Sequence, residues 1–193
     1  KTKFYFAGSS EMFGNSATAI QDEQTPFFPQ SPYAAGKVCA HSMTEIYRRY
    51  YKLFACSGIL FNHESPLRPR KYVSRKITDG ITRIANGESI CLRLGNVDVK
   101  RDFGFSGDYV RAMYQMMNQK VPDDFVIATG QFHSIREFAN LAMDCCGLRY
   151  SWKGAGLEEK CVNLETQDRI IEVDPSLYRS MDVIQTRGNF SKA

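Results

Sequence analysis

The chain has 193 residues, of which 43% are apolar, and 25 Lys and Arg against 21 Asp and Glu give a formal net charge of +4. This composition excludes disordered, collagen-like and low-complexity proteins, and the length predicts one domain, or one domain with part of another. The mild charge lacks the dense basic stripe typical of nucleic-acid binding, and uncharged apolar stretches such as residues 53–61 are too short to span a membrane. We therefore expect neither a nucleic acid nor a membrane as partner.

The first half of the chain predicts a strand, a helix and a second strand. Residues 3–7 form an apolar run that stops at the polar residues 8–10, which is typical of a buried parallel strand. Ser31-Pro32 is a helix start, and the helix is expected to run to about residue 51. A second strand over residues 54–61 should end in a polar turn. Such a unit is right-handed, and its ligands bind at the carboxyl edge of the sheet.

The second half predicts further alternation of helices and strands. Helices are expected over residues 73–86, 106–118 and 134–146, and strands over 89–94 and 124–128. Ser134 and Glu137 have the spacing of a capping box at the start of the last helix. The pattern as a whole favours the α/β class.

Six cysteines lie at positions 39, 56, 91, 145, 146 and 161. They form no CxxC pair and no His/Cys spacing typical of zinc, so we expect no metal site. Most lie in apolar stretches, and the adjacent pair is poorly placed to bridge within a helix. We predict buried free thiols and a reducing, cytoplasmic location.

Tyr33 and Lys37 are four residues apart on the first predicted helix, so their side chains share one face. An ammonium beside a phenol favours the phenolate, which suits the pair to accept a proton. The spacing alone also fits an ordinary surface pair. Its place between two parallel strands, the first ending in hydroxyl groups, is the stronger indication.

Ser9 and Glu11 follow the first predicted strand directly. The Ser9 hydroxyl is placed to hydrogen-bond a substrate oxygen while Tyr33 takes the proton, and the Glu11 carboxylate projects near the same edge. The alternatives are a serine that caps a turn and a solvated loop carboxylate.

Six stretches carry a resemblance to a known family: residues 9–14 (SSEMFG), 25–37 (TPFFPQSPYAAGK), 58–66 (GILFNHESP), 75–77 (RKI), 94–102 (LGNVDVKRD) and 124–130 (DFVIATG). Ser-x-Glu followed by YxxxK resembles the extended short-chain dehydrogenase/reductase family, and the stretches together resemble its GDP-mannose 4,6-dehydratases. Related glucose-nucleotide dehydratases carry Asp-Glu where this chain has Ser10-Glu11, which favours the mannose family. The likeness fades between residues 149 and 168.

The resemblance implies an α/β fold with a Rossmann-like doubly wound parallel sheet, present as its C-terminal portion, and a smaller α/β substrate-binding domain. Residues 1–66 would belong to the sheet domain. Residues 67–193 would mainly bind the nucleotide sugar, with some strands and helices returning to the sheet. Neither G-x-G-x-x-G nor G-x-x-G-x-x-G occurs in the sequence. Such a segment binds the cofactor pyrophosphate in this fold, so we expect an N-terminal glycine-rich part to be missing.

The resemblance also implies a reaction, the NADP-dependent dehydration of GDP-mannose to GDP-4-keto-6-deoxy-mannose. Tyr33, assisted by Lys37 and Ser9, would remove the proton of the 4-hydroxyl while hydride leaves C4 for the cofactor. The ketone at C4 acidifies the C5 hydrogen, Glu11 would act as the base at C5, and water would leave from C6 before hydride returns there.

Binding residues follow from the same resemblance. The cofactor contacts implied are Tyr33, Lys37, His63 and Arg68, and the substrate contacts are Ser10, Asn62, Lys76, Arg101, Arg179 and Asp182. Arginine forks suit a diphosphate. Alternatives are a buried structural role for His63 and an ion pair between Arg101 and Asp102. The chain has Pro-Leu-Arg-Pro at residues 66–69 where the family has Pro-Arg-Arg-Gly, and Asp182 is shorter than the glutamate expected there.

Other functions stay open at this point. A nucleotide-sugar reductase or epimerase of the same superfamily does not need a carboxylate at Glu11. A non-catalytic nucleotide-sugar-binding subunit would bind GDP-mannose without turnover. In the leading interpretation the partners are GDP-mannose and further copies of the chain, as a dimer or tetramer.

Overall fold

The computed structural model describes residues 2–178 and 186–193. The chain forms two compact units: the first is drawn from Lys1–Ser65, Lys100–Phe132 and Val183–Ala193, and the second from Pro66–Val99 and His133–Asp182. Each unit has its own sheet and is described by itself.

Within the described residues the helices are α1 (Pro32–Tyr51), α2 (Val73–Ala85), α3 (Ser106–Met117) and α4 (Ile135–Cys145). The strands are β1 (Lys3–Ala7), β2 (Phe54–Leu60), β3 (Asn62–Glu64), β4 (Leu92–Leu94), β5 (Lys100–Arg101), β6 (Phe103–Phe105), β7 (Asp124–Ile127), β8 (His133–Ser134), β9 (Tyr150–Lys153), β10 (Lys160–Asn163) and β11 (Arg169–Val173). Short 3₁₀ turns cover Ser10–Phe13, Gly156–Glu158 and Pro175–Leu177.

The sheet of the first unit has the order β1-β2-β7, with every pair parallel. Alternate residues of the central strand β2 point to opposite faces of the sheet, as the two-residue period of a strand requires. On one face Ile59 packs in a core cluster with Met12 of the first 3₁₀ turn and Val38 of α1. On the other face Leu60 packs with Tyr109 of α3. Helices therefore cover both faces, which confirms the predicted α/β class with a parallel sheet.

Helix α1 begins and ends with local signals that the sequence displays. The Ser31 hydroxyl accepts a hydrogen bond from the Ala34 amide at 3.1 Å, and Pro32 occupies the first turn, where no amide hydrogen is needed. Lys52 ends the helix in the left-handed conformation with φ 55°. These signals hold Tyr33 in the first turn.

The second unit has a mixed sheet of order β4-β11-β10-β9, in which β4 and β11 are parallel and the other pairs antiparallel. Helix α2 packs against α4 and against β4. A Cβ on Gly80 of α2 would lie 2.1 Å from Cδ2 of Leu92, so this glycine permits the close approach to β4. The capping box of Ser134 and Glu137 is present as predicted at the start of α4.

Three local predictions are wrong. Residues 62–64 form strand β3 instead of a turn, because β6 offers a parallel partner with Asn62 opposite Phe103. The strand expected over 89–94 begins only at Leu92, where its pairing with Ile171 of β11 starts. All six cysteines are free thiols, but only Cys56 and Cys161 are buried, and the others, Cys39, Cys91, Cys145 and Cys146, are exposed.

Candidate functional site

The three parallel strands of the first unit end at the same edge of their sheet. Strand β1 ends at Ala7, followed by Gly8 and Ser9, and β7 leads into a turn at Thr129 and Gly130. A Cβ on Gly8 would lie 2.9 Å from the carbonyl oxygen of Gly58, so the chain turns close to β2 here. Ligands of open α/β sheets bind at such an edge.

Lys37 and Tyr33 stand at the end of β1. The Lys37 ammonium donates a hydrogen bond to the carbonyl oxygen of Ala7 at 2.8 Å and lies 5.6 Å from the centroid of the Tyr33 ring and 5.2 Å from that of Phe6. The Tyr33 side chain is 58% exposed, so its hydroxyl is available to a ligand. The predicted pair therefore has an anchored cation and an accessible phenol.

The Ser9–Glu11 segment opens the 3₁₀ turn that contacts α1. The Ser9 hydroxyl accepts a hydrogen bond from the Glu11 amide at 3.2 Å, so it caps the turn, and as a hydroxyl it can still donate its proton. Glu11 is exposed. Ser10 is only 5% exposed and packs inward, which leaves Ser9 and Glu11 as the groups that face outward.

Asn62 and His63 follow β2 on strand β3 and are both half-buried. Nδ1 of His63 lies 2.8 Å from the carbonyl oxygen of Phe61, and the ring stacks on Tyr109 at a centroid distance of 4.8 Å. Because a carbonyl only accepts, Nδ1 carries the proton of this bond, and the corresponding tautomer has Nε2 as its acceptor. His63 is thus half-buried and its orientation is fixed by contacts in the protein, which is compatible with the structural alternative as well as with a cofactor contact.

Tyr109 and Asp102 are two buried residues next to this edge of the sheet: Tyr109 contacts His63, and Asp102 binds the turn after β7. The hydroxyl of Tyr109 is buried without a hydrogen-bond partner among the described residues. Burial, and secondarily the charge of Asp102, raises the pKa of Tyr109 well above its ordinary value, so the phenol stays protonated. The Asp102 side chain is fully buried, and its carboxylate accepts hydrogen bonds from both the amide and the hydroxyl of Thr129 and from the amides of Gly130 and Gly188.

Arg101 precedes that buried carboxylate and is half-buried, with Nη1 donating to the carbonyl oxygen of Lys100 at 3.0 Å. Backbone and hydroxyl donors bind the carboxylate of Asp102, in place of the ion pair with Arg101 that the sequence left open. These hydrogen bonds compensate the carboxylate for its burial. The sequence marks Asp102 only as the last letter of a charged turn. Its four donors come from residues far along the chain, so sequence reasoning missed its role.

Two of the predicted binding residues lie in the second unit. The Arg68 guanidinium stacks on the ring of Tyr72, with Cζ 3.8 Å from the centroid. The Lys76 ammonium on α2 donates to the carbonyl oxygen of Arg93 in β4. Arg179 and Asp182 lie outside the described residues.

The donor groups at the edge of the first unit suit one end of a nicotinamide dinucleotide. A phenol hydroxyl and an ammonium, as in Tyr33 and Lys37, are suitable donors to ribose hydroxyls, so these residues fit the nicotinamide-ribose end.

Within the described part of the chain, no helix has the length and apolar content that crossing a membrane requires. In the same residues no group of three or more His, Cys, Asp or Glu side chains is arranged to hold a metal ion.

Comparison with known proteins gives a consistent result. The model of the family described as GDP-mannose 4,6 dehydratase matches residues 1–193. GDP-mannose 4,6 dehydratase 1 of Arabidopsis thaliana is 46% identical over 191 residues, which are 99% of this chain and 48% of that protein. GDP-mannose 4,6 dehydratase 2 of Caenorhabditis elegans is 44% identical over 193 residues, 100% of this chain and 50% of that protein. The chain thus spans about half the length of the curated relatives it matches.

Solved structures share the fold at low sequence identity. The structure of RMD from Pseudomonas aeruginosa complexed with NADPH has a TM-score of 0.79 at 22% identity, covering 98% of this chain and 58% of that one. The dTDP-glucose 4,6-dehydratase of Bacillus anthracis in complex with NAD has a TM-score of 0.76 at 18% identity, covering 98% of this chain and 53% of that one.

Proposed function

Because the chain belongs to the GDP-mannose 4,6-dehydratase family, we propose that it carries the proton-transfer groups for dehydration of GDP-mannose to GDP-4-keto-6-deoxy-mannose. The observation that best supports this proposal is the anchored Lys37 ammonium beside the exposed Tyr33 phenol. Both lie at the end of β1, which is two residues before Ser9. These contacts support the proposal separately from the family membership.

In this proposal Tyr33 takes the proton of the 4-hydroxyl of the mannose ring. The positive charge of Lys37 lies close enough to stabilise the phenolate by electrostatic attraction, and its hydrogen bond to Ala7 keeps the ammonium there. The Ser9 hydroxyl donates to the oxygen that becomes the ketone. These three residues prepare the ring for elimination by acidifying the hydrogen at C5.

Glu11 is the proposed base at C5. Its carboxylate is exposed on the 3₁₀ turn directly after Ser9, so it is accessible to a sugar bound at this edge. It removes the C5 proton and passes it to the C6 hydroxyl, which then leaves as water. A positioned general base typically contributes ~10²–10⁴-fold to the rate.

The proposed cofactor is NADP. When bound, a nicotinamide accepts hydride from C4 of the sugar and returns hydride to C6. Tyr33 and Lys37 would hold the nicotinamide ribose, and the Nε2 acceptor of His63 and the Arg68 guanidinium are proposed for the nicotinamide and phosphate side. No glycine-rich dinucleotide fingerprint occurs in residues 1–193, so no residue here is assigned to the pyrophosphate.

The proposed contacts to the nucleotide sugar retain the residues named from the sequence: Ser10, Asn62, Lys76, Arg101, Arg179 and Asp182. Asn62 and Arg101 belong to the first unit, and Lys76 keeps donor capacity beyond its bond to the backbone because an ammonium has three protons. Ser10 is the weakest of the set, since its side chain is buried. It contributes through its backbone or through the packing of the turn.

The outer face of α1 supports the proposal of a homo-oligomer. Tyr50 is 72% exposed and Tyr51 66%, and Met43, Ile46 and Tyr47 on the same helix are also exposed. An exposed apolar patch of this kind is typical of a surface that is covered by a partner. A cytoplasmic location remains a prediction.

The test is to incubate the full-length gene product with NADP and GDP-mannose and to follow the mass of the nucleotide sugar. Loss of one water from the sugar, with deuterium from the solvent appearing at C5, is the expected result. An epimerised or reduced sugar of unchanged hydration would favour another enzyme of the superfamily. Binding of GDP-mannose without any turnover would favour a non-catalytic subunit.

A further inference from the structure

A second polar cluster lies inside the first unit, against the middle and the amino end of its sheet. We call it the α1 clamp; it consists of His41 and Arg48 of α1, Ser57 of β2 and Asp124 of β7. Nδ1 of His41 lies 2.8 Å from Oγ of Ser57. Arg48 donates to both carboxylate oxygens of Asp124 at 2.6 Å, and the Ser57 amide donates to Oδ1 of Asp124 at 2.9 Å.

The α1 clamp has the residue types of a hydrolytic triad but not its accessibility. Ser57 is fully buried in the middle of β2, so no substrate can reach its hydroxyl. Nε2 of His41 is 3.9 Å from the nearest oxygen of Asp124, too far for a hydrogen bond. Asp124 is instead held in the bidentate geometry with Arg48 that gives such pairs directional specificity. The cluster is therefore suited to fixing position.

The clamp belongs to a row of polar contacts along α1, and this row starts with Lys37 at the carboxyl edge of the sheet. Lys37, His41 and Arg48 are four and seven residues apart, so they lie on one face of α1. Lys37 reaches the last carbonyl of β1, His41 reaches the middle of β2, and Arg48 also donates to the carbonyl oxygen of Ala55 near the start of β2. Contacts at these three levels oppose both sliding and rotation of the helix.

Apart from Val38, which packs on the core cluster with Ile59, helix α1 buries few large apolar side chains. The residues of α1 that are buried are Ala34, His41 and Thr44, which are small or polar. Apolar packing is non-directional, and small side chains interlock poorly with a sheet. Directional hydrogen bonds to buried partners are suited to specify the register of such a helix.

We propose that the α1 clamp is a positioning site, which fixes the height and rotation of α1 and thereby the places of Tyr33 and Lys37 at the sheet edge. Its kinetic consequence rests on the proposed function, whereas its structural consequence does not. The clamp residues touch neither substrate nor cofactor in this proposal.

The experiment compares clamp variants with surface residues of the same type in the full-length gene product. The clamp variants are Asp124→Asn, Arg48→Lys and Ser57→Ala, with Ser57→Thr as the conservative variant that keeps the hydroxyl. The matched controls are Asp144→Asn and Arg49→Lys, whose side chains contact Tyr150 and Glu45 at the surface. Each variant is measured by steady-state kinetics and by hydrogen–deuterium exchange of the backbone.

The clamp variants should lower kcat by about 10²-fold, the cost typical of a misplacement of about 1 Å, and leave KM for GDP-mannose nearly unchanged. Exchange should become faster in residues 33–41 while α3 keeps its protection. Ser57→Thr should restore both quantities relative to Ser57→Ala, and both controls should behave as the wild type.

Two outcomes would overturn the proposal: exchange that rises equally in α1 and α3, or clamp variants indistinguishable from their controls. If Asp124→Asn fails to fold, the milder Ser57→Ala and Arg48→Lys decide. If the wild type does not turn over GDP-mannose, the proposed function fails, and the exchange pattern still decides whether the clamp positions α1.

Discussion

The ammonium of Lys37 donates a hydrogen bond of 2.8 Å to the carbonyl oxygen of Ala7, the last residue of β1. This single contact ties the helix that carries Tyr33 to the strand that leads into Ser9. It combines an electrostatic role beside the phenol with a mechanical role at the end of the strand. The two roles can be separated by substitution.

Lys37→Met should lower kcat by ~10²–10⁴-fold, the range typical of an impaired general base, because both the charge and the hydrogen bond to Ala7 are lost. Lys37→Arg should recover only part of this loss, since a planar guanidinium does not replace an ammonium at a single carbonyl. Steady-state assays with GDP-mannose measure both. The exposed Lys120 provides the control, and a comparable loss in Lys120→Met would remove the special role of Lys37.

Glu11→Gln should abolish the release of water and spare oxidation at C4. The amide keeps the size of the side chain and its place on the 3₁₀ turn but cannot act as the base at C5. Single-turnover absorbance of the reduced nicotinamide should therefore rise and persist, whereas in the wild type it is transient. Normal water release in this variant would exclude Glu11 as the base.

Tyr109→Phe should leave the protein as stable as the wild type or stabilise it by about 1 kcal/mol, because a buried, unpaired hydroxyl carries a desolvation cost. The ring that stacks on His63 is kept. Tyr109→Leu removes that ring and should lower both stability and activity. Urea unfolding and kinetics of the two variants measure this, and a large destabilisation by Tyr109→Phe would mean that the hydroxyl has a partner.

The sequence predicts those parts of the fold that depend on neighbours along the chain. The Ser31-Pro32 start of α1 and the Ser134/Glu137 capping box are local signals, and the structure contains both. Strand β3 could not be found in this way, because its partner β6 lies about forty residues later. The same reason conceals the four donors around Asp102.

In the candidate site too, local spacing was predicted from the sequence, whereas contacts with distant elements were not. The YxxxK spacing placed Tyr33 and Lys37 on one helix face, but the carbonyl that holds the Lys37 ammonium belongs to another element. The burial of individual residues is also not predicted by their neighbours in sequence. Apolar neighbours suggested that Cys39 is buried, yet it faces solvent, because the helical period places adjacent residues on different faces of the helix. Sequence neighbours therefore do not report which face of an amphipathic helix is covered.

Gly36→Ala and Gly80→Ala should have opposite effects on stability, although both replace a helical glycine. Nothing lies within 4 Å of a Cβ at Gly36, so alanine should stabilise α1 by roughly 0.5–1 kcal/mol through helix propensity. At Gly80 the new Cβ would meet Leu92 at 2.1 Å, and overpacking should destabilise the protein by about 1–3 kcal/mol. Chemical unfolding measures both, and stabilisation by Gly80→Ala would contradict the packing of α2 on β4.

His41 should make stability depend on pH between neutrality and mild acid. Burial lowers the pKa of His41 in the folded protein, and the attraction of Asp124 only partly opposes this. The unfolded chain, with its ordinary pKa near 6.5, therefore takes up a proton that the folded protein does not. The stabilising contribution is complete above pH 6.5 and is lost as the pH falls towards the folded value.

His41→Gln keeps a polar partner for Ser57 but cannot be protonated, so its unfolding free energy should change less than that of the wild type between pH 7.5 and 5.5. The exposed His133 provides the comparison, because His133→Gln removes a histidine from the surface and leaves His41 in place. Urea titrations at several pH values measure these slopes. An unchanged slope in His41→Gln would show that the pH dependence originates elsewhere, because this substitution removes the titratable imidazole of His41.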